Sequence, residues 1–345
     1  MINVSLIGGG NIAKAHAAAA KALPDRVKIA AVVDPNPSAA GPLAEQLGAK
    51  LYPGIDALIA DEAVSSTIRA AIVCTPPSAR VEPVAQALEM GWSVLCEKPL
   101  AHRLDDSTHL SNLAKQHPQQ ACAAGLCHRF TPAVDRMIEA VRGGLIGPVL
   151  RVENVFAASI PTMATHWMSD PAVSGGGSLL DAGTHSIDLM HHLVGPCDSA
   201  GAVLEHAWPG RGDSNATVLL RSLGGGACGV EPGVACHLAS GWAEPTRFHL
   251  RLVGRDGSLF YDFEAPTELL HAESTGGQDV IEVETHEVRF TRQLAAFLNG
   301  VEAGAVPAPL ASFADAHAVM ALLGSIDGAL VDRSPVIRAA AEASA

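Results

Sequence analysis

Over the first 125 or so residues, short apolar runs rich in β-branched residues alternate with longer stretches whose apolar positions recur at helical spacing. The strand-like runs are Asn3–Ile7, Lys28–Val33, Ala70–Cys74, Ser93–Cys96 and Gln120–Ala124. Between them, Asn11–Leu23, Pro42–Leu47, Val81–Met90 and Leu104–His117 read as alanine-rich helices. Strands that alternate with helices predict a parallel, doubly wound α/β sheet of Rossmann type, because parallel neighbours need a crossover.

The pattern changes after Phe130. A helix over Pro132–Arg142 and a Gly143-Gly144 break lead into a strand, Val149–Phe156. A loop rich in Pro, Met, Trp and Gly follows, then a helix over Ser178–Leu193. From Ala200 to about Val288 the chain reads as successive strands separated by turn clusters such as Gly224-Gly225-Gly226 and Arg255-Asp256-Gly257. This half predicts an α+β domain with a large, mainly antiparallel open sheet. Helices over Thr291–Val301 and Phe313–Leu330, expected to pack back on the first domain, precede an alanine-rich tail after Arg338. The expected domains are 1–125 and 126–345. So few helices cover one face of the second sheet, which predicts a homo-oligomer, dimer or tetramer, that covers the other.

Composition narrows the classes. Of 345 residues, 48% are hydrophobic and 17% charged, enough to bury two cores. The net charge of −13 supplies no basic stripe for phosphates, which excludes a nucleic-acid partner and an anionic membrane surface. The 7 cysteines are scattered and form no C-x-x-C pair, which suits a reducing compartment. The N-terminus enters a strand pattern without a basic leader, and no apolar run reaches the ~18 residues of a membrane span. A cytoplasmic location is expected.

The first strand runs into Gly8-Gly9-Gly10-Asn11-Ile12-Ala13, a G-x-G-x-x-A turn that opens a helix. Gly8 permits the tight turn, Gly10 lets the backbone approach a pyrophosphate, and the first N–H groups of the helix, from Asn11 and Ile12 onward, face the phosphates. The second strand ends in Val32-Val33-Asp34. An acid there accepts hydrogen bonds from the adenosine ribose hydroxyls and repels the additional phosphate of NADP. The following Pro35-Asn36-Pro37 supplies no arginine to compensate, so NAD is the expected cofactor.

Two further stretches carry chemistry: Cys96-Glu97-Lys98-Pro99-Leu100 at a strand end, and Gly175-Gly176-Gly177-Ser178-Leu179-Leu180-Asp181-Ala182-Gly183-Thr184-His185. With the N-terminal fingerprint, Thr75-Pro76-Pro77, and His128-Arg129-Phe130-Thr131-Pro132, they resemble the glucose–fructose oxidoreductase / myo-inositol dehydrogenase (Gfo/Idh/MocA) family over nearly the whole chain. The resemblance implies an NAD-dependent oxidoreductase that moves hydride between a hydroxyl carbon of a sugar or cyclic polyol and the nicotinamide. It implies catalytic roles for Lys98, Asp181 and His185, a cofactor site that includes Thr75, Pro76, Glu97 and Lys98, and a cis Lys98–Pro99 bond. One departure is Arg80, at a place where many relatives carry histidine.

The chemistry fits those roles. Oxidation removes a hydroxyl proton as hydride leaves the same carbon. Asp181 and His185 lie four positions apart and share a helix face. Histidine accepts a proton near neutral pH, a carboxylate orients it, and Lys98 stabilises a developing alkoxide. His128, Arg129, His166 and Trp167 are candidate substrate contacts, as donors and as an apolar platform; Arg129 also reads as a structural clamp. His191 and His192 raise the question of a metal, but no ligand spacing emerges and none is expected. Two other activities share this resemblance: glycosidases that use NAD in an internal redox cycle, and regulators that sense NAD and sugar without catalysis.

Overall fold

The computed structural model describes residues 1–326 and the strand over 328–332; the alanine-rich tail after Arg338 lies outside the described residues. The chain divides into two compact units. The first holds Met1–Phe130 and Glu287–Ala318, and the second holds Thr131–His286 and the chain from Val319 on.

The first unit begins β1 (Ile2–Ile7), α1 (Asn11–Lys21), β2 (Val27–Val33), α2 (Pro37–Leu47) and β3 (Lys50–Tyr52). It continues with α3 (Ile55–Ala60), α4 (Glu62–Ser65), β4 (Ile68–Val73), α5 (Val81–Glu89), β5 (Ser93–Glu97), α6 (Leu104–Gln116) and β6 (Cys122–Gly125). All six strands are parallel, in the order β3-β2-β1-β4-β5-β6. The predicted doubly wound sheet is therefore present, and its order reverses between β1 and β4. Ligands of such sheets bind beyond the strand ends at that reversal. Strand β3 and the short α3 and α4 are additions; three residues, Lys50–Tyr52, carry too little periodicity to register as a strand.

Alternate residues of the strands feed two apolar layers. Val4, Leu6 and Ile72 meet Ala13 and Ala17 of α1 on one side, and Ile7, Ala71 and Val73 meet Leu58, Val84 and Leu88 on the other. Alanines on α1 let that helix lie close to the sheet.

The second unit contains α7 (Pro132–Arg142), β7 (Val149–Ser159), α8 (Pro171–Ser174) and α9 (Ser178–Val194). Seven strands follow: β8 (Cys197–His206), β9 (Asn215–Ser222), β10 (Ala235–Gly241), β11 (Ala243–Gly254), β12 (Gly257–Asp262), β13 (Glu268–Glu273) and β14 (Gln278–Glu282). Then come α10 (Arg289–Ala303), α11 (Phe313–Ser325) and β15 (Gly328–Asp332). Helix α10 adds Leu294, Phe297 and Leu298 to the α1 layer of the first unit.

Among the described residues the second sheet has nine strands, β14-β13-β12-β11-β7-β10-β9-β8-β15. Pairing is antiparallel except β7 with β10 and β8 with β15. Strand β9 shows the logic: Ala216, Val218 and Leu220 are buried while Thr217, Leu219 and Arg221 face out. The inner face packs on Ile187, Met190 and Leu193 of α9 and on Val134 and Met137 of α7.

One expectation is corrected. The helix predicted from Phe313 to Leu330 ends at Ser325, and Gly328–Asp332 instead pairs with β8. A short apolar run fits either state by period alone, and the edge of β8 supplies backbone partners that a helix with glycines at 324 and 328 does not need to compete for. The Gly224–Gly226 cluster lies in the connection between the antiparallel neighbours β9 and β10, which a Gly225–Val230 bridge closes. The Arg255–Gly257 turn joins β11 to β12 as expected.

Leu238 on β10 is fully buried in the second core. Leu238→Ala is expected to lower the unfolding free energy by about 2–5 kcal/mol, read from urea denaturation with an unchanged m-value. An unchanged midpoint would remove this leucine from the core.

Candidate active site

In the first unit the glycine turn follows β1 at the sheet reversal. Gly8 has φ 95°, and a Cβ there would stand 2.8 Å from the Cys74 carbonyl carbon, so the position demands glycine twice over. In front of Gly10, by contrast, a Cβ would meet nothing within 4 Å. Gly10 precedes α1 at its N-cap and supplies no side-chain cap, so the first N–H groups of the helix have no side-chain acceptor there. An open approach to uncapped N–H groups suits a pyrophosphate. Asn11 is exposed at this opening and Ile12 packs on the α1 layer.

Asp34 ends β2 beside the turn. Its Oδ2 accepts the Gly9 N–H at 2.7 Å and its Oδ1 accepts the Asn36 N–H at 2.8 Å. The carboxylate thus braces the glycine turn, and each oxygen keeps a second lone pair with which to accept a ribose hydroxyl. After β4, the Thr75 hydroxyl donates to the Ala79 carbonyl at 3.0 Å and closes a short turn behind Pro76.

The Glu97-Lys98-Pro99 turn follows β5, and its Lys98–Pro99 bond is cis. Glu97 is buried: His16 Nε2, on α1, lies 2.8 Å from its Oε1, and the Lys98 N–H donates to its Oε2 at 3.2 Å. Burial pushes the Glu97 carboxyl up, but His16, Arg80 and Lys98 together outweigh that and hold it below the usual range. The carboxylate grouped with the cofactor residues therefore points inside the fold. Its neighbour Cys96 is buried as well, which pushes the thiol up to about 11 and leaves no thiolate nucleophile at neutral pH. His16 escaped the sequence reading, since one histidine in an alanine-rich helix carries no spacing signal.

In the second unit, Asp181 and His185 lie on α9, one turn apart on the same face. They are half-exposed, whereas Gly183, Thr184 and the run from Ser186 to Met190 are buried, so this pair opens a polar stripe on a packed helix. The Phe156 ring of β7 meets His185 edge-on, with centroids 6.4 Å apart.

The start of α9 is anchored by Asp213, from the loop between β8 and β9. Its carboxylate accepts the Leu179 N–H and the Ser178 hydroxyl, each at 2.8 Å, and its own carbonyl accepts the Ser178 N–H at 2.8 Å. Burial raises the Asp213 carboxyl above its ordinary value against the pull of those donors. The contact needs Gly177, where a Cβ would stand 2.2 Å from the Asp213 carbonyl oxygen. Asp213 was also missed, because Arg211-Gly212-Asp213 reads only as a turn.

The loop before α9 carries His166, whose Nδ1 accepts the Met168 N–H at 3.2 Å, and Trp167, 42% exposed with its ring 5.5 Å from that imidazole. An exposed indole beside a histidine is a fitting platform for a sugar ring. In the first unit, His128 is half-buried and Arg129 buried, in the turn after β6. Arg129 donates to the Pro309 carbonyl at 3.3 Å and lies 3.9 Å from Asp315, contacts that brace this turn against the chain after α10. Among the described residues no group of His, Cys, Asp and Glu is arranged to hold a metal ion, and no helix is long and apolar enough to cross a membrane.

The two halves of the chain match known families separately. Residues 2–125 match the oxidoreductase family with an NAD-binding Rossmann fold, and residues 134–260 match the GFO/IDH/MocA C-terminal domain. The levoglucosan dehydrogenase of Pseudarthrobacter phenanthrenivorans is 29% identical over 300 residues, 78% of this chain and 75% of that protein. The rhizopine catabolism protein MocA of Rhizobium meliloti is 28% identical, over 71% and 78% of the two chains. The D-xylose 1-dehydrogenase (NADP(+)) 2 of Haloferax volcanii is 27% identical, over 81% and 82%. Among solved structures, levoglucosan dehydrogenase in complex with NADH and levoglucosan superposes with a TM-score of 0.82 at 22% identity, over 94% of this chain and 96% of the other. The chain belongs to the GFO/IDH/MocA oxidoreductases, a family whose members include NAD(P)-dependent sugar dehydrogenases.

Proposed function

We propose that this chain is an NAD-dependent dehydrogenase that oxidises a hydroxyl carbon of an aldose or an inositol-like polyol. The observation that carries the reading is the Asp181–His185 pair, an acid and a base held one turn apart on the partly exposed face of a helix whose other face is buried, in a chain that also keeps Lys98 at a strand end of the cofactor unit. When bound, NAD supplies the hydride acceptor. Gly8–Ala13 and Asp34 would hold its phosphates and adenosine ribose, and Thr75 and Pro76 line its approach. His185 accepts the hydroxyl proton, Asp181 orients the imidazole and stabilises its charged form, and Lys98 lowers the energy of the developing alkoxide. Trp167 and His166, with His128, support recognition of a ring bearing hydroxyls; Arg129 serves by shaping the turn that presents His128. The buried free thiols favour a reducing, cytoplasmic setting.

The decisive experiment is a panel of levoglucosan, D-xylose, myo-inositol and amino sugars with NAD, followed by absorbance of reduced nicotinamide. Net NADH formation is expected. It separates this reading from a glycosidase with an internal redox cycle and from a sensing regulator.

With the best panel sugar, His185→Ala and Lys98→Ala are each expected to lower kcat by about 10²–10⁴-fold with NAD binding nearly intact. The wild-type oxidation rate is expected to rise with pH, because the proton acceptor must start unprotonated. Near-normal turnover by His185→Ala would move the proton acceptor elsewhere, with Lys98 the first alternative.

Asp34→Ser is expected to weaken NAD more than NADP, measured by quenching of protein fluorescence. A strong wild-type preference for NADP would overturn the role given to Asp34.

We further propose that a second copy of the chain covers the outer face of the second sheet. That face exposes Val203, Leu219 and Val280 among ion pairs such as Arg221–Asp198 and Arg151–Glu153, a balanced mixture suited to meeting itself. Light scattering is expected to give a dimer or tetramer; a monomer mass at every dilution would refute it.

A further inference from the structure

Arg80, the departure from the family pattern, is 4% exposed in the cofactor unit. Its Nε–H donates to the Thr75 carbonyl at 2.9 Å, and its Nη1 donates to the Glu97 carbonyl at 2.6 Å and to the Pro99 carbonyl. One guanidinium thus grips the backbone on both sides of Lys98 and ties that turn to the loop after β4. Burying such a charge is costly unless it is paired and its donors are satisfied. Here carbonyl dipoles take three of its five N–H donors, and the buried Glu97 carboxylate lies within its field.

We propose that Arg80 is a positioning residue for Lys98: it fixes the points where the backbone enters and leaves the lysine, and so sets where the ammonium stands relative to the Thr75 loop. The inference rests on the role given above to Lys98. The geometry demands arginine. Its Nε and Nη1 donate along different directions from one rigid plane, whereas a lysine offers one nitrogen on a flexible stem. The grip is on carbonyls, which no side-chain substitution at Glu97 or Pro99 removes. Meanwhile the carboxylate of Glu97 holds the Lys98 N–H from the other side, so carbonyls and N–H of the same turn are fixed by separate partners. His16 extends this second hold to α1, whose N-terminus faces the phosphate site.

The test is a double-mutant cycle on the full chain, with NAD and the panel sugar that turns over fastest. Wild type, Arg80→Lys, Lys98→Ala and the double variant are compared for kcat and KM, with slow variants followed at high enzyme concentration. Misplacing a catalytic group by about 1 Å costs up to about 10²-fold, so Arg80→Lys is expected to lower kcat by about 10–10²-fold while the KM for NAD moves by less than about threefold. In the Lys98→Ala background the same change is expected to cost nothing further, because a positioning residue has no effect once the group it positions is gone. Multiplying losses would overturn the proposal and leave Lys98 its role. Full activity of Lys98→Ala would instead sink the role of Lys98 and the inference with it. Arg80→Gln, which keeps a donor without the charge, provides a second variant; failure of both to fold, by circular dichroism and NADH binding, would make Arg80 a folding determinant and also overturn the proposal.

Discussion

A carboxylate removed from water has to be met by hydrogen bonds and opposite charge, and the Glu97 side chain imposes that demand at the heart of the cofactor unit. His16 reaches it from α1, the Lys98 N–H reaches it from the next residue, and the Arg80 charge lies nearby. These partners come from α1, from the loop region after β4 and from the turn after β5. Satisfying one buried acid therefore fixes three segments against one another. Loss of any partner leaves a costly buried charge, so the arrangement resists piecemeal change.

The same economy appears in the second unit with different parts. Asp213 takes up the free N–H of Leu179 and the Ser178 hydroxyl at the start of α9, from a loop far along the chain. The helix that bears Asp181 and His185 is thereby fixed at its first turn, while Ile187, Met190 and Leu193 fix its length against the sheet. Functional groups on a packed, capped helix lose little motional freedom when they act, which is how preorganisation lowers a barrier. In contrast, His166 and Trp167 sit on the loop before α9, where a change of sequence is tolerated without disturbing the helix.

The fold itself was readable from the alternation of strands and helices in the first half and of inward and outward residues in the second. So was the glycine turn, because Gly8 answers to a local backbone requirement and Asp34 to its fixed distance along a βαβ unit. Lys98, Asp181 and His185 were marked by motifs in which each residue stands at a short, fixed spacing from glycine or proline. The end of α11 was misread because period and composition do not distinguish the end of a helix from a strand that finds an open edge.

By itself, then, the sequence determined what depends on neighbours in the chain: period, turns, the fingerprint and the spacing of an acid from a base on one helix. The tertiary structure decided which residues serve them. His16 meets Glu97 across 81 positions, Asp213 meets Leu179 across 34, and Arg80 meets Pro99 across 19. None of these pairs has a spacing rule, because the distance between their side chains is set by sheet order and helix packing rather than by the length of chain between them.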